Sequence, residues 1–188
     1  MKRSAFSGVL ALAVASLLVA CGGAASTSTT PAAVHTAEPG EPALIQVDGY
    51  QYQNPTDPTW KQSVTEGMKV ANALVPGIYV GGSAHEVIKD GAGQTILVEM
   101  QLGPKMAGSL GESLSAASGA ITGMAGPGVA VSTETISTQP VASAVFTMDG
   151  QHYKAFAWVH NGAVTLVLGE NDEQTTAYMQ KYLAAAHA

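Results

Sequence analysis

The chain has 188 residues, enough for one ordinary domain with appendages. Apolar residues make up 46% of it but aromatic ones only 6%, so its core must be built largely from small side chains. The formal charge is −6; beyond Lys2 and Arg3 it becomes −8, with six Lys, fourteen acids and no Arg, which argues against nucleic acid and against an acidic membrane bound through the domain's own side chains.

The N-terminus opens with a basic Met1-Lys2-Arg3 and continues as an uncharged apolar run over residues 5–20. That run falls short of the roughly 20 residues a membrane-spanning helix needs and suits an export signal. It ends in Leu18-Val19-Ala20-Cys21, an aliphatic residue and two small ones before the single cysteine of the chain. This stretch resembles the lipobox of bacterial lipoproteins. The resemblance covers residues 1–21 and implies a diacylglyceryl thioether on Cys21, cleavage before it, and often a further acyl chain such as palmitate. A lone thiol cannot form an internal disulfide, and acylation removes it from an oxidising compartment. Residues 1–20 are thus expected to be a signal peptide. Residues 21–42 are expected to be the lipidated Cys21 and a tether of Gly, Ser, Thr and Pro, too poor in large apolar groups to fold by burial. The implied location is the cell envelope: the outer side of the cytoplasmic membrane, or an outer membrane where there is one. Gly22 stands after the cysteine in place of the Asp that marks inner-membrane retention in Gram-negative lipoproteins.

Residues 43–188 read as one globular domain. A short strand is expected at 43–52. Asp57-Pro58 then suits a helix start, and Trp60, Val64, Met68, Ala71 and Val75 form one apolar stripe up to Pro76-Gly77. Residues 84–90 and 94–102 read as strands around Gly91-Ala92-Gly93. Ser109 to Glu112 has capping-box spacing before a helical stripe of Leu110, Leu114, Ala117 and Ile121, which ends near 126–128. A strand follows at 129–136. Asp149-Gly150 and Asn161-Gly162 are two-residue hairpin dipeptides that divide 141–168 into three antiparallel strands. Acids at 170–173 then open a C-terminal helix. The order β-α-β-β-α-β-β-β-β-α predicts an α+β fold, an antiparallel sheet with helices packed on it.

Two-residue turns fix the register by counting. Phe146 should oppose Tyr153, Ala155 should oppose Leu168, and Phe156 should oppose Val167. One face of the meander is then a core of Ala144, Phe146, Tyr153, Ala155, Ala157, Val159, Leu166 and Leu168. The other is mostly polar but carries Phe156, Trp158 and Val167, with His160 beside them. Either a helix or the segment 43–52 covers these residues as a second core, or they form an exposed surface that binds a partner or ligand.

No catalytic set emerges. Ser83 and His85 lack the closing Gly of a nucleophile elbow and read as ordinary strand-edge residues. His152 and His160 lie eight residues apart on one strand, about 26 Å, too far to share a metal. Glu170, Asp172 and Glu173 lack the pattern of a calcium loop and read as helix caps. Gly119 and Gly123 suit close helix packing. No cofactor is expected. The leading expectation is a non-enzymatic envelope lipoprotein that binds another protein or assists envelope assembly, held to the membrane through Cys21. The alternative is a carrier for a lipid or other apolar molecule, since Ala116, Ala117 and Ala120 leave room for a cavity beneath the sheet; the plan resembles lipid-handling lipoproteins of actinobacterial envelopes. A hydrolase with an unrecognised site ranks last.

Overall fold

The architecture comes from a computed structural model, which describes residues 42–110, 114–126, 128–148 and 150–187. The signal sequence, Cys21 and most of the expected tether lie outside the described residues. So do Glu112 of the expected capping box and Asp149 of the first hairpin dipeptide.

Among the described residues seven strands form one antiparallel sheet: β1 (Gln51–Gln53), β2 (Tyr79–Lys89), β3 (Ala92–Leu102), β4 (Ser132–Ile136), β5 (Gln139–Met148), β6 (Gln151–His160) and β7 (Ala163–Gly169). Their spatial order is β1-β2-β3-β7-β6-β5-β4. Four helices pack on it: α1 (Thr59–Leu74), α2 (Pro104–Leu110), α3 (Leu114–Ala125) and α4 (Asp172–Ala186). The fold is α+β, as the order of elements in the sequence predicts.

The turns explain the register. Asn161 and Gly162 both have positive φ, 48° and 74°, and close β6 onto β7. The pairs counted from the sequence all occur, including Phe146 with Tyr153, Ala155 with Leu168 and Phe156 with Val167. The β2–β3 turn is Asp90-Gly91, at φ 54° and 78°, rather than the three residues 91–93. It is another hairpin dipeptide of the same kind, so β3 starts at Ala92, two residues earlier than expected, and β2 ends at Lys89. The strand expected at 43–52 shrinks to Gln51–Gln53. Asp48-Gly49 turns the chain there, with Tyr50 N donating to Val47 O at 3.0 Å. The single helix expected around 110–124 becomes two elements. Pro104 occupies the first position of α2, where its missing N–H costs nothing. Gly126, at φ 91°, ends α3 and donates to Thr122 O.

Side-chain alternation gives the sheet two buried faces. Against one face pack α1, α2 and α3, over Ala84, Val98, Ala142, Ala144, Ala155, Ala157, Leu166 and Leu168. Against the other packs α4, whose buried Thr175, Tyr178, Met179, Tyr182 and Leu183 repeat at three- and four-residue steps. Leu44, Ile45, Val47 and Tyr50 extend that cover. Asn171 caps α4 by accepting from Gln174 N at 3.0 Å, with Asp172 and Glu173 in the first turn.

Candidate functional site

The first helix carries the predicted apolar stripe, yet none of its residues is fully buried. The reason is a cavity of about 450 Å³ between α1, α3 and the sheet. Its floor is Val98, Met100 and Leu166 of the sheet, and Met148 closes it at the end of β5. Trp60, Val64 and Ala71 line it from α1, and Ala116, Ala120 and Met124 from α3. Ile78, Tyr79 and Met106 complete the wall. Among the described residues, no charged side chain lines the cavity, and its polar side-chain groups are those of Ser63, Ser115, Tyr79 and the Trp60 indole.

Small residues keep this space open. Gly67 of α1 and Gly119 and Gly123 of α3 face the cavity, together with the alanines. A Cβ built on Gly67 or Gly119 would meet nothing within 4 Å, so close helix packing does not account for either glycine. A helix-interior glycine costs about 1 kcal/mol relative to alanine. The flexible thioethers of Met100, Met106, Met124 and Met148 give the wall a surface that adapts to shape.

The opposite face of the sheet is where the sequence placed Phe156, Trp158, Val167 and His160. The first three are 0%, 1% and 0% exposed. They lie under α4 in one core with Tyr178 and Tyr182, the Trp158 and Tyr182 rings meeting edge to face at 5.4 Å. Of the two alternatives that the sequence leaves open, the covered second core is the one that forms. The sequence alone could not decide between them, because which face a C-terminal helix covers depends on the crossover and not on its periodicity. His160 is half-buried, with Nε2 2.9 Å from Asn161 Nδ2 and its ring 5.2 Å from that of His187.

This second core contains a polar row that the sequence reading did not single out. Ser83, Glu99, Thr165 and Trp158 are register partners across β2, β3, β7 and β6. All four are buried. Tyr182 donates its hydroxyl to Glu99 Oε1, while Glu99 Oε2, Ser83 Oγ and Trp158 Nε1 are buried without a hydrogen-bond partner among the described residues. Desolvation raises the Glu99 carboxyl to about 7, the Tyr182 hydrogen bond opposing the shift. Nearby, Tyr178 donates to Tyr52 Oη at 3.2 Å, and Tyr52 in turn donates to Ile45 O at 3.0 Å. Burial pushes the Tyr52 hydroxyl up to about 12 and those of Tyr178 and Tyr182 well above the ordinary phenol range. The one signal in the sequence is that Leu97 breaks the alternation of β3 on the face that also carries Glu99.

Ser83 and His85 are interior residues, 2% and 1% exposed, and His85 meets the Tyr52 ring edge to face. His152 Nε2 lies 2.6 Å from Asp172 Oδ1, joining β6 to the first turn of α4. Among the described residues, no three His, Cys, Asp or Glu side chains gather as a metal site would require, and no helix is long and apolar enough to cross a membrane. Comparison of the chain with protein-family models, curated proteins and solved structures yields no match.

Proposed function

We propose that this chain is a lipid-anchored binding protein of the bacterial cell envelope, carrying an apolar molecule in the cavity between α1, α3 and the sheet. The observation that carries the reading is the uncharged cavity of about 450 Å³, kept open by glycine and alanine on two helices. Its volume lies within the ~300–1,000 Å³ of small-molecule sites. It is about three times that of a 150 Å³ cavity known to take up benzene. Among the described residues of this wall an ionised group has no charged partner, so a charged headgroup would stay outside while an acyl or isoprenoid tail enters. The carrier reading gains over the protein-binding one because Phe156 and Trp158, the residues that suggested a partner surface, are buried. Cys21 in its lipobox-like setting supplies the anchor, and the protein acts by holding its ligand rather than by transforming it.

Native mass spectrometry of the protein purified from its own host tests this directly. A co-purifying apolar molecule is expected. In a second assay the protein should take up N-phenyl-1-naphthylamine with a saturable rise in fluorescence. Ala120→Phe, which projects a ring into the cavity, should weaken that uptake at least tenfold without lowering the unfolding temperature. Purification as a bare chain together with no dye uptake would overturn the reading.

A further inference from the structure

At one end of the sheet the chain presents an apolar tip. Leu74, Val75 and Val80 are 55%, 45% and 56% exposed, and Pro76 and Gly77 between them are exposed too. Scattered exposed aliphatics are ordinary, but these are adjacent and rigidly held. Val75-Pro76-Gly77-Ile78 is a tight turn, with Ile78 N donating to Val75 O at 3.1 Å and Gly77 at φ 77°. Asn72 clamps the turn from α1: its Nδ2 donates to Tyr79 O at 2.9 Å, and its Oδ1 accepts from Tyr79 N at 3.0 Å. Gly103 N adds a bond to Ile78 O at 2.9 Å. Two residues held inside this brace, Ile78 and Tyr79, also line the cavity.

Charge is distributed unevenly along the strands. The end that carries the tip also holds the start of α2, the Asn161-Gly162 turn and the C-terminus of α4. Among the described residues its exposed charge is Lys105, with Lys69 and then Glu66 further up α1. The opposite end exposes Asp90, Glu170, Asp172 and Glu173 against Lys89. An anionic surface would therefore repel the tip end less than the end that carries Glu170, Asp172 and Glu173.

We propose that this tip docks the domain on an anionic lipid bilayer, with Leu74, Val75 and Val80 in the interface and Lys105 at headgroup level, so that the cavity wall at Ile78 and Tyr79 meets the lipid from which the ligand comes. The inference rests on the carrier reading for its purpose. The sequence had argued against contact with an acidic membrane from net charge alone; segregation of that charge along the sheet reopens it locally. Reach is not limiting, because the 21 residues from Gly22 to Pro42 span up to about 70 Å when extended.

The test uses the full chain, exported and anchored by its own N-terminus, reconstituted in vesicles of phosphatidylcholine and phosphatidylglycerol with brominated acyl chains. Val80→Cys or Glu173→Cys carries an environment-sensitive fluorophore, and the parent protein, with Cys21 as its single thiol, sets the labelling background. The label at Val80 should be quenched at least twofold and the one at Glu173 hardly at all. Leu74→Asp combined with Val75→Asp should abolish the quenching at Val80 while naphthylamine uptake without vesicles is unchanged. Equal quenching at the two positions overturns the docking surface. So does no quenching at either, as expected if a protein covers the tip instead. Dye uptake, read separately, reports on the carrier: absence of quenching at Val80 without the Asp substitutions, with uptake intact, sinks docking alone, whereas quenching without uptake upholds docking and removes the carrier reading.

Discussion

Tyr182 donates its hydroxyl to Glu99 Oε1 across the layer between α4 and β3, joining a buried phenol to a buried carboxyl. Glu99 is 3% exposed, and desolvation raises its carboxyl from 4.5 to about 7. A carboxyl whose pKa is raised by folding binds protons more readily in the native state than in the unfolded one. Its contribution to stability is thus complete below about pH 4.5 and is lost as the pH rises through about 7. The shift corresponds to about 3 kcal/mol. Urea unfolding at pH 5 and pH 8 should show the native protein losing stability over that interval relative to Glu99→Gln, which keeps an acceptor for Tyr182 but does not ionise. Parallel pH profiles for the two proteins would mean that Glu99 does not titrate in this range.

Trp158 and Phe156 hold the second core together. With Trp158 1% exposed and its ring against Tyr182, truncation to alanine leaves a cavity that the sheet and α4 cannot close. Trp158→Ala should cost about 3–5 kcal/mol in denaturant unfolding, and Phe156→Ala a similar amount. Val145 lies on the same face but is 50% exposed near the sheet's far edge. Val145→Ala should change stability by less than about 0.5 kcal/mol. A Trp158→Ala protein as stable as the parent would mean that α4 does not cover this face.

Much of the fold is legible in short-range chemistry. Asn161-Gly162 gives the β6–β7 register because its positive φ angles permit one loop length, and alternation then assigns every side chain of three strands to a face. The alanines at 116, 117 and 120 predict room beneath the sheet, and the cavity lies there, lined by Ala116 and Ala120. What the sequence does not reveal is long-range. That α4 crosses over Trp158 rather than sharing a face with α3 depends on packing between residues far apart in the chain. Glu99 is equally hidden, since a lone carboxylate in an alternating strand normally marks the wet face, and only the cover supplied by α4 makes it buried. The β4–β5 turn escaped notice because Ser137-Thr138 has no turn signature, although both residues adopt positive φ, 49° and 71°.

That last turn is strained in a way that can be relieved. A β-branched residue in the left-handed region brings its Cβ close to the following carbonyl, at a cost of about 1–2 kcal/mol. Part of any gain from glycine is lost to its greater freedom in the unfolded chain. Thr138→Gly should therefore raise stability by a net ~0.5–1 kcal/mol, and Ser137→Asn with Thr138→Gly slightly more. Gly162→Ala should act oppositely: φ is 74° there, and the new methyl would stand 3.2 Å from Ala107 Cβ. Thermal unfolding of the variants checks both signs, and a destabilised Thr138→Gly would show that the Thr138 side chain makes contacts outweighing its backbone strain.

Gly67 and Gly119 separate fold stability from cavity function. Each sits inside a helix, and a Cβ at either position would meet no atom within 4 Å. Alanine should therefore stabilise at each site by about 0.5–1 kcal/mol, through better helix propensity and a less mobile unfolded chain. If packing had selected these glycines, the same substitutions would destabilise. Leucine at Gly119 carries the argument further, because its side chain would occupy cavity volume without displacing a neighbour. Gly119→Leu should match or exceed the parent's unfolding temperature while dye uptake falls at least tenfold, a combination expected of residues kept small to leave space for a ligand. A variant that is stabilised but still binds the dye with parental affinity would show that the dye occupies some place other than the space between α1 and α3.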